Sequence, residues 1–292
     1  MKKYKNILIA GLSILAMACS KNNANEEPGP VQIDKSANLL GTGDSANDIL
    51  SNDTFTKLQI EIGFVTGFRP TIAAMTDFIS FLEQHTFKQD IEVIYKELDS
   101  PEEESLTLQE IADLETENRT AYNNGSTLAI YIYFTDAPAE DDNEEEGLVT
   151  LGAVYRNTSM VIHEATIRKL ASQSAFISNA DVETATLNHE FGHLFGLVNL
   201  GTTPVNEHED IDAANHCNVQ GCLMRAELQF GGPTGKTDYL VAKQNYEAGI
   251  TSGCILNGKT ILNLFQSQTG KSAAALDLDS ECILDIQANG AK

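Results

Sequence analysis

The stretch SNADVETATLNHEFGHLFG, residues 178–196, carries the pattern on which the fold prediction depends. Ser178, Asn179 and Asp181 offer side-chain oxygens that can cap the N-terminus of a helix. The apolar residues that follow recur at helical spacing, and Gly196 is a residue type that commonly ends a helix. The sequence therefore predicts one helix that ends at Gly196.

Two histidines on this helix are spaced so that both can bind one metal ion. His189 and His193 lie four residues apart, so both imidazoles extend from the same face. Glu190 follows the first histidine and can reach a water bound to the same ion. This His-Glu-x-x-His spacing is what zinc-dependent hydrolysis requires. Because catalytic zinc takes three protein ligands and keeps one position open for water, a third ligand must lie elsewhere in the chain.

The residues after the second histidine extend the pattern. The run HEFGHLFGLVN, from His189 to Asn199, resembles the zinc motif of the metzincin metallopeptidases, in which the last position is normally His or Asp. Asn199 occupies that position here, and an amide is a poor zinc ligand. The third ligand is therefore expected further along the chain.

Residues 216–224, HCNVQGCLM, are similar to the archaemetzincin pattern, in which the third zinc-binding His directly precedes Cys-x4-Cys-x-Met. The resemblance implies that His216 is the third zinc ligand, after an insertion of about seventeen residues. It also implies that Met224 is the Met-turn residue, a hydrophobic base beneath the zinc.

His208 is the alternative third ligand. It could bind zinc itself, or it could help Asp210 and Asp212 to orient a ligand. Asn199 or a carboxylate is a further alternative. The residues alone leave this choice open.

The rest of the chain alternates strand and helix patterns. Apolar periodicity predicts strands at 57–65, 91–95, 128–134, 148–155 and 160–162, and helices at 72–86 and 106–122. This alternation predicts an α/β (α+β) fold with a mainly parallel sheet. The metzincin resemblance implies a zincin-like twisted five-stranded sheet, an active-site helix and a smaller loop-rich C-terminal subdomain, which includes a predicted helix at 237–246.

The N-terminal segment has the pattern of a signal peptide for export. Residues 1–18 combine a basic start with a short apolar run, and Cys19 follows small residues as in the lipobox of bacterial lipoproteins. We therefore expect lipidation at Cys19, a flexible tether over 19–53, and a location in the bacterial cell envelope, at the outer membrane or cell surface. The catalytic domain would span 54–292, with an upper subdomain at 54–196 and a lower one at 197–292.

Four cysteines remain after the predicted signal segment, an even number in an oxidising compartment. Two disulfides are expected, and local pairing is preferred among the three possible connectivities. The preferred pairs are Cys217 with Cys222 and Cys254 with Cys282.

The net charge of the chain argues against nucleic acids as partners. The chain has 19 Lys and Arg against 42 Asp and Glu, a formal net charge of −23, which disfavours nucleic-acid binding. The acidic run at 140–146 lacks the spacing of a known calcium motif, so a solvated loop is favoured over a calcium loop. Membrane attachment would depend on the N-terminal lipid alone.

These patterns together predict a zinc endopeptidase that acts on peptide or protein substrates. Glu190 would activate a zinc-bound water, and the edge strand near 148–155 would hold an extended peptide, as the resemblance implies. One alternative is a lipid-tethered zincin-fold binding protein whose zinc is structural. Another is a zincin that hydrolyses a non-protein amide.

Overall fold

The structure is a computed structural model that describes residues 34–143, 149–173, 177–226 and 276–292. Several predicted features lie outside these residues. They are the signal segment with Cys19, the acidic residues 144–146, the helix at 237–246 and Cys254.

A five-stranded sheet with the order β2-β1-β3-β5-β4 forms the scaffold. Its strands are β1 (Lys57–Val65), β2 (Asp90–Leu98), β3 (Thr127–Thr135), β4 (Gly152–Arg156) and β5 (Ser159–His163). Strands β2, β1, β3 and β5 run parallel, and β4 pairs with β5 in the antiparallel direction. This arrangement confirms the predicted mainly parallel α/β sheet, although β4 begins later than position 148.

The central strand β3 shows why the sheet folds as it does. Ile130, Ile132 and Phe134 point into the larger core cluster, whereas Tyr131 and Tyr133 belong to a second cluster on the opposite face. All five side chains are buried, because strands flank β3 on both sides and apolar layers cover both faces. The near-continuous apolar run in the sequence reflects this double burial.

The described helices are α1 (Ala46–Leu50), α2 (Ile72–His85), α3 (Leu108–Asn118), α4 (Glu164–Ala171), α5 (Asn179–Leu194) and α6 (Ser280–Ala288). Two short antiparallel strands, β6 (Glu209–Asp210) and β7 (Ala213–Cys217), follow α5. In the described part of the chain, no helix is both long enough and apolar enough to span a membrane.

Helix α5 is the predicted histidine helix, and both of its ends are fixed by local chemistry. The Ser178 hydroxyl accepts a hydrogen bond from the Asp181 backbone amide at 3.2 Å, and the Asp181 carboxylate accepts one from the Ser178 amide at 2.8 Å. At the other end Gly196 has a φ of 74°, and a Cβ there would lie 2.6 Å from the Thr202 amide nitrogen. Only glycine suits this helix end.

Packing then fixes the orientation of α5. The ring of Phe191 meets that of Phe78 on α2 edge to face, with centroids 5.2 Å apart. Both rings are fully buried, as are Leu187 and Leu194. The helix therefore presents His189 and His193 from a rigid position.

The predicted tether at 19–53 is wrong for its described part, residues 34–53. Ile49 and Leu50 of α1 are fully buried in the main core. Asn38 is buried too, and its amide group donates to the Ala129 carbonyl at 3.1 Å and to the Asn123 side chain at 2.8 Å. Hydrogen bonds from polar side chains hold this segment, which is why its polar composition resembled that of a linker.

Candidate metal centre

Three histidines converge on one point. His189 and His193 extend from α5, and His216 comes from β7. Their ring centroids are 4.9 Å apart for the two helix residues, and 5.4 Å and 5.3 Å from His216 to His189 and His193. One ligand atom from each of the three lies within 4.8 Å of the others, and all three side chains are buried. The structure thus brings together the three residues that the sequence and its resemblance indicated.

Hydrogen bonds to backbone carbonyls determine which ring nitrogen of His189 and of His216 carries the proton. Nδ1 of His189 lies 2.7 Å from the Leu223 carbonyl oxygen, and Nδ1 of His216 lies 2.9 Å from that of Ala214. Because a carbonyl only accepts, each Nδ1 must donate, and each Nε2 then keeps a lone pair for a metal. This is the tautomer that metal-binding histidines use.

The spacing of the nitrogens also suits zinc. Nε2 of His189 and Nε2 of His193 are 3.2 Å apart. A Zn–N distance of about 2.0–2.1 Å places two nitrogens of a tetrahedral site about 3.3–3.4 Å apart. The donor set, three neutral imidazoles, therefore fits a zinc ion.

Burial keeps these imidazoles neutral. It lowers the pKa of His189 to about 3 and that of His216 to about 4. Burial also holds the pKa of His193 well below its ordinary value, with further lowering from its two histidine neighbours. All three rings are thus unprotonated at neutral pH, which is the form that binds a metal.

Glu190 lies between α5 and the edge strand β4. It is fully buried, and a Cβ built on Gly152 would lie 2.8 Å from its Cγ and 2.9 Å from Cγ2 of Thr186. Glycine at 152 is therefore required for the helix to approach the strand this closely. Sequence analysis did not single out Gly152, because its role depends on a contact between two distant segments.

Met224 packs directly beneath the histidine helix. Its side chain is fully buried, and a Cβ on Gly192 would lie only 2.2 Å from Met224 Sδ. Gly192 stands between the two helix histidines, and the residue before Met224 supplies the carbonyl that orients His189. Leu223 and Met224 therefore hold the histidine helix at His189 and Gly192.

The alternative third ligands lie elsewhere. Nε2 of His208 is 2.7 Å from an Asp285 carboxylate oxygen, and its Nδ1 is 3.3 Å from Sγ of Cys217. Asn199 is exposed, and its amide group donates to Glu209 at 2.6 Å. Neither belongs to the three-histidine group, so the geometry favours His216.

The expected Cys217–Cys222 disulfide is wrong, because Cys217, Cys222 and Cys282 carry free thiols. The sulfurs of Cys222 and Cys282 are 3.6 Å apart, well beyond the bond length of about 2.05 Å. The predicted Cys254–Cys282 pair is not formed either, as Cys282 is free. Counting cysteines could not show that α6 brings Cys282 beside Cys222.

Together with Asp279, these cysteines form a second group that could hold a metal ion. The backbone amides of Val219 and Met224 donate to the sulfurs of Cys217 and Cys222, each at 3.3 Å. Three thiols and one carboxylate are a donor set that suits zinc.

Comparisons with known proteins identify distant likenesses among solved structures. The sequence matches no protein-family model and no curated protein. An archaemetzincin from Methanopyrus kandleri is 13% identical, with a TM-score of 0.44, covering 81% of this chain and 96% of that one. Metalloproteinase-II from Bacteroides fragilis is 15% identical, with a TM-score of 0.34, covering 60% of this chain and 47% of that one. The function must therefore be inferred from the residues of the site.

Proposed function

We propose that this protein is a zinc-dependent endopeptidase that holds its metal with His189, His193 and His216. The observation that carries the proposal is the convergence of three buried imidazoles whose ligand atoms lie within 4.8 Å of one another. Two of them, His189 and His193, lie on the helix that also bears Glu190. Zinc in such a site supplies a Lewis acid for the scissile carbonyl and lowers the pKa of a bound water.

Glu190 is the residue to which we assign proton transfer. As a general base it would take a proton from the attacking water, and as a general acid it would return that proton to the leaving amine. Its position in sequence, directly after His189, places it on the helix that supplies two of the three histidines. Its contact with Gly152 holds the side chain against β4.

Strand β4 is the element to which we assign substrate binding. It ends the order of the described sheet and pairs there only with β5. An edge strand can bind an extended peptide through main-chain hydrogen bonds. Because Glu190 packs against β4 at Gly152, a peptide bound along this edge would pass the general base. This arrangement supports cleavage within a peptide chain.

The test is cleavage of an unfolded protein by the zinc-loaded full chain and by its Glu190→Ala variant. We expect the variant to keep its zinc and to lose roughly 10²–10⁴-fold in kcat/KM, the usual contribution of a general base. Thr184→Ala is the matched control, because this half-buried residue lies on the same helix and is not among the candidate ligands. It should cleave as the unchanged protein does.

Two other outcomes would count against the proposal. Full hydrolysis by Glu190→Ala would contradict the role of that residue. If the unchanged chain held zinc at the histidine site and cut no unfolded protein, the result would favour a binding protein with a structural zinc.

A further inference from the structure

A buried chain of side chains leads from the C-terminal helix to the residue beside His216. A carboxylate oxygen of Asp285 on α6 accepts a hydrogen bond from Nε2 of His208 at 2.7 Å, and Nδ1 of His208 lies 3.3 Å from Sγ of Cys217. The three side chains are 1%, 3% and 0% exposed. Cys217 directly follows the proposed third ligand. The relay, defined as Asp285, His208 and Cys217, therefore ends one residue from the metal centre.

Backbone hydrogen bonds reinforce the relay. The His208 carbonyl accepts from the Asn218 amide at 2.8 Å, so His208 holds the end of β7 with its main chain as well as its side chain. The second carboxylate oxygen of Asp285 accepts from the Val205 amide at 2.6 Å. A single carboxylate on α6 thus fixes two points of the segment that leads to β7.

Strand β7 depends on individual contacts, because regular sheet pairing holds it only in part. Its described pairing is with the two-residue strand β6, and the register shifts between those two residues. Asn215, directly before the ligand, has a φ of 65°, a left-handed conformation that costs energy for a residue other than glycine. The surrounding contacts must hold this conformation in place.

We propose that His208 and Asp285 are positioning residues of the metal centre, which act on His216 through Cys217. The inference rests on the proposed function only in taking His216 as a metal ligand. It replaces the expectation that His208 acts with Asp210 and Asp212. Positioning groups outside a metal's own ligands typically change metal affinity by about 10–100-fold when they are removed.

The experiment measures Co²⁺ affinity of the full chain by competition with a chelator, using the absorption bands of the bound ion. Cobalt at cysteine thiolates is recognised by intense near-ultraviolet charge-transfer bands, whereas cobalt at the three-histidine site contributes weak visible bands only. His216→Ala identifies the bands of the histidine site by their loss.

Asp285→Ala should weaken Co²⁺ binding at the histidine site by about 10–100-fold and change its visible bands. Asp285→Asn keeps an oxygen that can accept from His208 and should recover much of that affinity. Asn206→Ala is the matched control, because Asn206 joins the same segment to α6 by a 2.7 Å bond to Glu281 at the surface. It should leave the histidine-site bands unchanged.

The outcomes separate this inference from the proposed function. Equal histidine-site affinity in Asp285→Ala, Asn206→Ala and the unchanged chain would overturn the positioning role. So would an Asp285→Asn variant that is folded but as weak as Asp285→Ala. If the unchanged chain gave no bands that depend on His216, the metal centre itself would be refuted, whereas missing peptidase activity with normal bands would refute only catalysis.

Discussion

Helix α5 and the segment at 199–224 both supply histidines to one site, but they are held in different ways. Helix α5 is 16 residues long, is capped at its start and packs through fully buried aromatic rings. The other segment contains two short strands and depends on side-chain bonds to α6. The comparison indicates that one half of the centre is preformed by regular structure, whereas the other half depends on individual contacts.

Removing the metal should give the largest difference in behaviour between helix α5 and the segment at 199–224. We expect chelation to speed amide exchange at Cys217 and Leu223, whose N–H groups donate to the Met224 and Asp277 carbonyls at 2.8 Å and 2.9 Å. A ligand present at 100 times its Kd contributes about 2.7 kcal/mol, so exchange there should rise roughly 100-fold. Exchange in the middle of α5 should change much less.

Hydrogen exchange with mass spectrometry, on chelated and zinc-loaded protein, makes this measurement. His216→Ala is the control, since it should already show fast exchange at these amides before chelation. An equal increase in both regions would mean that the whole domain, and not one segment, depends on the metal.

The same contrast explains what the sequence could predict. Strands β1 and β3 and helix α5 follow apolar periodicity, so their places were predicted closely. The folded segment at 34–53 was missed for two reasons: Asn38 is held by polar hydrogen bonds, which leave no periodic trace, and helix α1 is only five residues long. These contacts depend on which distant residues the fold brings together.

The residues of the candidate metal centre also differ in how far the sequence could predict them. His189, Glu190 and His193 follow from a spacing on one helix. The choice between His216 and His208 remained open from the residues, because it depends on which of the two the fold brings beside His189 and His193. The cysteine group was misjudged as disulfides for a related reason, since Asp279 and Cys282 approach from the far end of the chain.

Gly192 is one of the points where the two regions meet, and a larger residue there should force them apart. In Gly192→Ala the new Cβ would lie 2.2 Å from Met224 Sδ, so Met224 must move. Such overpacking costs about 1–3 kcal/mol in the free energy of unfolding. Urea unfolding measures the lost stability, and the Co²⁺ affinity of the same variants measures the effect on the metal centre.

The double variant Gly192→Ala with Met224→Ala provides the control. Truncating Met224 makes room for the new methyl group, so the two destabilisations should sum to more than the double variant shows. Strict additivity would mean that Met224 is not the obstacle, and that the close approach of the two regions has another cause.

The smallest expected effect concerns the N-terminal turns of α5, where they meet α4. Glu183 of α5 and Glu164 of α4 are both buried, and the Asn179 amide group donates to each, at 2.7 Å and 3.0 Å. Burial, followed by the nearby Glu183 charge, raises the pKa of Glu164 above its ordinary value, although Arg168 opposes this with a 2.6 Å bond. The folded protein therefore binds a proton here that the unfolded chain releases.

The sign of the pH dependence follows from this raised pKa. The stabilisation is complete below the ordinary glutamate pKa of 4.5 and is lost as the pH rises through the higher folded value. Between about pH 5 and about pH 8.5, Glu164→Gln should therefore lose less stability than the unchanged protein. Urea unfolding at both pH values measures the difference, with exposed Glu83→Gln as the control. If the stability changed equally between the two pH values in all three proteins, Glu164 would not bind the additional proton in the folded state.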